Sequence, residues 1–157
     1  MTSSNGINWT ERATPSSVRA AWFADVCWSR ECNIFVAVSE FSPGAIITSP
    51  DGITWSVSSL TNIVVSRYSG ISWSPQLGIF VVVEYSGSGV IISKDGKTWN
   101  RYIYVDTTLH GSYWQDICWS AQLGLFVAVG SSGTYRIITS TNGIDWIPVY
   151  SLSLIHI

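Results

Sequence analysis

The sequence predicts an all-β chain made of repeated four-stranded antiparallel sheets. Three observations predict it. A turn motif, Ser-x-(Asp/Asn)-Gly-x-x-Trp, occurs four times and places Trp9, Trp55, Trp99 and Trp146 at intervals of 46, 44 and 47 residues. A second marker, Trp-Ser followed by a short turn and an apolar run, places Trp28, Trp73 and Trp119 at intervals of 45 and 46. Between these markers lie only short apolar runs punctuated by Gly, Pro, Ser and Asn, with no window of helical period. Two independent markers that keep one period define a repeat.

Each repeat reads as four strands. The first ends in Trp-Ser, as in Asp25 to Ser29. The second is Ile34 to Val38, matched by Ile79 to Val83 and by Leu125 to Val129. These runs are apolar at both alternating positions, which predicts a sheet covered on both faces. The third is Ile46 to Ser49, echoed by Ile91-Ile92-Ser93 and Ile137 to Ser140. The adjacent Asp-Gly or Asn-Gly predicts a type I′ hairpin, with positive φ at both central residues. The fourth strand carries the tryptophan and runs through Thr54 to Val57.

Sheets of this kind, repeated about every 45 residues, are β-propeller blades. The expected architecture is a partial propeller with blades at about 22–57, 67–102 and 113–149, plus one outer strand at Asn8 to Arg12. The alternative is a β-trefoil, which leaves the fourth copy of the Trp hairpin without a place. Four blades would need about 180 residues, more than the 157 present, so the chain reads as cut from a longer array. The repeat domain is taken as 1–150. Residues 151–157 match nothing in the repeat and resemble a translated adapter sequence, so they are read as a non-native tail rather than an apolar terminal strand.

The Ser-x-Asp-Gly-x-x-Trp element resembles the Asp-box of BNR-repeat propellers, which include sialidases and YCF48-like proteins. The match departs from that pattern in placing Asp and Gly side by side and in having Asn5 and Asn142 at two copies. In that family the box is a folding element, so the resemblance implies a fold and no chemistry. Similar repeats occur in phage, giant-virus and environmental bacterial proteins, which implies a virion or cell-surface setting; compartment is otherwise unread.

Composition narrows the function classes. Only 11% of residues are charged and the net charge is −2, which excludes the basic stripe of a nucleic-acid binder. The apolar runs are far shorter than the roughly 20 residues of a membrane span, and the N-terminus lacks the regions of a signal peptide. Three cysteines have no metal-ligand spacing. Cys27, Ser72 and Cys118 share one repeat position, which predicts a small buried slot. His110 is the only histidine before the tail, so neither a catalytic triad nor zinc is expected.

The seven regular tryptophans, with Asp51, Asp95, Gly52, Gly96 and Gly143, are read as structural. Candidate ligand contacts are Trp22, Arg67, Tyr68, Tyr113, Trp114 and Arg136. They fall where the blade-crossing segments and the second-to-third-strand loops meet, the end at which a propeller offers its most variable surface. Rings there suit stacking on a sugar, and arginines suit an anionic group. A sialidase-like site would need an arginine cluster and a Tyr–Glu pair, and the spacing supplies neither. The expected function is therefore a non-enzymatic scaffold for glycan or protein, without cofactor or metal. The alternative is part of a sialidase-like glycoside hydrolase whose catalytic residues lie elsewhere. Closing the ring calls for further blades or for self-association of two arcs.

Overall fold

The structure, a computed structural model, describes residues 1–40, 44–60, 63 and 67–149. The expected tail, Tyr150 and parts of two loops at 41–43 and 61–66 lie outside the described residues.

Twelve strands form three separate four-stranded sheets, each an antiparallel meander in chain order. The first sheet contains β1 (Phe23–Ser29), β2 (Ile34–Ser39), β3 (Ile46–Ser49) and β4 (Ser56–Val57). The second contains β5 (Tyr68–Ser74), β6 (Ile79–Glu84), β7 (Gly89–Ser93) and β8 (Asn100–Ile103). The third contains β9 (Trp114–Ser120), β10 (Leu125–Gly130), β11 (Ile137–Ser140) and β12 (Ile147–Pro148). Ladder pairing stays inside each module, which replaces the trefoil alternative with a partial β-propeller of three blades. The inner strands face one another across the blades: β1 packs on β5, and β5 on β9.

Alternating side chains of the second strands fill the space between sheets. Phe80 and Val82 of β6 point toward blade 1, where they meet Val36, Val38 and Ile46. Ile79, Val81 and Val83 point the other way and pack with Phe126, Ala128 and Ile138. All six residues of β6 are buried, because blade 2 has neighbours on both sides. In β10 the pattern breaks down: Phe126 and Ala128 are buried, while Val129 is exposed on a face that no further blade covers. Each first-strand tryptophan lies tilted on the phenylalanine of its own second strand, with centroids 4.3, 4.5 and 4.5 Å apart for Trp28–Phe35, Trp73–Phe80 and Trp119–Phe126.

The turn motif departs from the expected type I′ hairpin. Among the described residues only Asn33 has positive φ outside glycine, so Asp51 and Asp95 do not adopt the left-handed conformation. The side chains explain the difference. Asp51 Oδ1 accepts the N–H of Ile53 and Thr54 at 2.8 and 2.7 Å, and Ser49 Oγ accepts the N–H of Gly52 at 2.8 Å. Two side-chain acceptors thus gather the turn's N–H groups and leave only glycine, with φ of +71° at Gly52, to reverse the chain. The tryptophan then closes the motif by donating Nε1–H to the glycine carbonyl, at 3.1 Å from Trp55 to Gly52. The same bonds recur around Asn5, Asp95 and Asn142.

The N-terminal segment forms such a turn as well, closed by paired Thr2 and Thr10 and lying beside Gly52 rather than as a strand of a full sheet. Of the seven regular tryptophans, Trp99 and Trp146 are buried, but Trp9 is 58% exposed. No helix among the described residues is long and apolar enough to cross a membrane.

Candidate functional site

At the crossing-loop end, each first strand is tied to the exit of its second strand by one backbone bond. The carbonyls of Trp22, Arg67 and Tyr113 accept the N–H of Glu40, Tyr85 and Ser131 at 2.9, 2.7 and 2.8 Å. Just beyond, the register of each first strand shifts, between Phe23 and Asp25 in blade 1 and between Tyr68 and Gly70 in blade 2. A shift of this kind re-aims side chains. Here it sets which member of each adjacent pair, Trp22–Phe23, Arg67–Tyr68 and Tyr113–Trp114, turns toward the core.

Trp22, Arg67 and Tyr113 are directed outward. Tyr68 and Trp114 turn inward and are fully buried, so neither ring offers a face to a ligand. Trp114 meets Tyr104 edge-on at 6.3 Å, and its carbonyl accepts the Ser69 hydroxyl at 2.7 Å. These two residues belong to the packing between blades. The physical reason is strand alternation: of two adjacent residues entering a sheet, one must enter the core.

The outward residues of blades 2 and 3 form a continuous row. Tyr113 stacks on Tyr85 at 5.1 Å with an interplanar angle of 22°, and the Arg67 guanidinium lies 5.7 Å from the Tyr85 ring centroid. Tyr113 is 43% exposed, and Trp22 holds the equivalent position of blade 1 at 68%. Arg136, exposed one residue before β11, is not part of the row. Tyr85 carries no signal in the sequence beyond its place directly after the apolar run of β6.

Beneath the row, Glu84 is buried at the end of β6 and accepts the Nε–H and Nη2–H of Arg101, at 2.6 and 2.8 Å. The hydrogen bonds that it donates to Glu84 hold the Arg101 guanidinium more firmly protonated than usual. The loop after β6 folds back over the carboxylate so closely that a side chain at Gly87 would overlap it. Burial likewise raises the Tyr104 hydroxyl far above its ordinary range. Glu84 is thereby committed to a structural pair and is not presented to solvent.

Cross-blade bonds account for further residues. Asp25 Oδ2 accepts the N–H of Ile71 at 2.9 Å, and partial burial raises its carboxyl despite that bond. Burial pushes the Cys27 thiol up to about 11, with the Trp73 N–H facing its sulfur. Ser72 Oγ plays the corresponding part for the N–H of Trp119 at 3.0 Å. Cys118 is exposed, which corrects the expected small buried slot: the position is covered only where another blade follows. Among the described residues, no group of three or more His, Cys, Asp or Glu could hold a metal ion.

No family model and no curated protein matches the chain. Solved structures do. YCF48 from Cyanidioschyzon merolae superposes with a TM-score of 0.68 at 21% identity, over 94% of this chain and 48% of that one. A chain of the crystal structure of a nidogen/laminin complex superposes with a TM-score of 0.61 at 12% identity, over 86% of this chain and 50% of that one. The fold is that of a β-propeller. The chain spans about half the length of these structures, and identities this low speak for the fold alone.

Proposed function

We propose that the chain is a non-enzymatic propeller scaffold that binds a saccharide at the crossing-loop end. The observation that carries this reading is the row Arg67–Tyr85–Tyr113. Tyr113 is backed on one side by Tyr85, so its ring is held in place at little further entropic cost while its other face meets solvent. An apolar sugar face stacks on such a ring, and the neighbouring guanidinium suits an acidic sugar. The turn chemistry around Asp51 and Asp95 supports placing the repeat with the Asp-box propellers. The scaffold reading over an enzymatic one draws on Glu84 being occupied by Arg101, and on Asp51 and Asp95 being engaged in turns on separate blades.

A glycan array that includes sialylated and uronic-acid saccharides tests the proposal. Binding should be lost in Tyr113→Ala, retained in Tyr113→Phe, and weakened for acidic sugars in Arg67→Ala. An array without specific binding, or binding indifferent to Tyr113→Ala, would overturn it. Trp114→Ala is no substitute, because that ring supports the blade junction.

A further inference from the structure

The two internal blade junctions share one bonding scheme. The earlier blade supplies acceptors and the later blade supplies donors from its first-strand tryptophan. At the first junction Trp73 Nε1 donates to Glu31 Oε2 at 2.8 Å; at the second, Trp119 Nε1 donates to Gln76 Oε1 at 2.8 Å. The Trp73 N–H faces Cys27, and the Trp119 N–H is accepted by Ser72. For the first-strand tryptophan, the acceptors at both junctions come from the same two repeat positions.

Blades 1 and 3 carry the two unmatched halves of this scheme. Blade 3 presents Cys118 and Gln122 at the acceptor positions, both exposed. Blade 1 presents Trp28 at the donor position, where its Nε1 has no acceptor among the described residues. The apolar surfaces match in the same way. Val129 is 42% exposed, whereas its equivalents Val38 and Val83 are fully buried against the next blade. Val26 is 56% exposed, whereas its equivalents Ile71 and Ile117 are buried against the preceding one. Beside Val26 lies a groove of about 300 Å³ floored by Phe35, Ala37 and Ile47.

We propose that these faces join head to tail, the blade 3 face of one copy of this chain seating on the blade 1 face of a second copy. The acceptor face is built from the same residue types that already seat blades 2 and 3, so a second copy's blade 1 fits it by the rule the chain uses internally. A heterologous contact of this kind closes into a ring when the rotation allows. Two copies supply six sheets. The N-terminal turn stands over Gly52 on the outer part of the seat, so joining displaces it in favour of the partner's own outer turn.

Sedimentation velocity of the full chain under a thiol reductant tests this. The expected species is a dimer. Val26→Arg disables only the blade 1 face and Val129→Arg only the blade 3 face, and both positions are exposed, so each variant alone should stay folded and monomeric. Mixed in equal amounts they should associate through the one junction that carries neither arginine, more weakly than the wild-type ring. Gln122→Ala should weaken association about thirtyfold by removing one acceptor at each of the two junctions. A monomeric wild-type chain, a dimer that survives either arginine, or a mixture that stays monomeric would overturn the proposal.

Discussion

Asp51 and Asp95 sit in identical turns, yet the repeat also places Asn5 and Asn142 there, and the amide oxygen accepts the same two N–H groups. What distinguishes the carboxylates is titration. The bonds from Thr54 and Ile53 lower the Asp51 carboxyl from 3.8 to about 2. Asp95 feels burial, which raises it, but the Thr98 and Lys97 N–H bonds prevail and it too ends below the ordinary value. A depressed carboxyl contributes stability above its unfolded pKa, and that contribution disappears as pH falls through the folded value. The Asp51→Asn/Asp95→Asn double variant should therefore keep the turns and lose less of its Tm than wild type between pH 3.8 and about 2. Superimposable Tm–pH curves from circular dichroism would refute this account. The motif was legible as a turn because Ser, Asp and Gly fall at fixed offsets. Its type was not legible, because side-chain acceptors relieve Asp of the left-handed conformation.

At the scale of the element, two turn glycines show how a turn couples to its neighbour. Gly78, in the β5–β6 turn, has φ of +64° and open space around it. Gly96, in the β7–β8 turn, has φ of +72°, and an added Cβ would approach Val36 Cγ2 of blade 1 to 2.9 Å. Gly78→Ala should cost about 1–2 kcal/mol for left-handed strain alone. Gly96→Ala should add about 1–3 kcal/mol of overpacking at the blade junction. Urea denaturation of the two variants separates these terms, and equal costs would mean that the Gly96 turn does not seat on blade 1. The strands themselves were readable, since an apolar run with no polar face leaves little choice but a sheet covered on both sides. The aim of the residues entering the sheet was not readable. Whether Tyr68 or Arg67 turns inward depends on a one-residue register shift that leaves no mark in composition.

At the scale of the molecule, Trp9 and Trp99 offer a matched pair. Each lies in the same motif and donates Nε1–H to the glycine carbonyl three residues back, at 3.2 and 3.1 Å. Trp99 is buried within the core between blades 1 and 2, while Trp9 is 58% exposed. Trp99→Ala should cost about 3–5 kcal/mol, whereas Trp9→Ala should remain within about 0.5 kcal/mol of wild type. Chemical denaturation followed by far-UV circular dichroism measures both, and comparable losses would contradict a chain stabilised chiefly where blade meets blade. The amino-acid sequence alone determined the modules, their four-strand order and the turns that separate them, because those follow from short-range periodicity and local hydrogen bonding. Only the tertiary structure decided which copies of a repeated residue are buried, which cysteine is covered and which rings reach solvent. Those outcomes depend on whether another sheet lies against the residue, and identical local sequence cannot encode that.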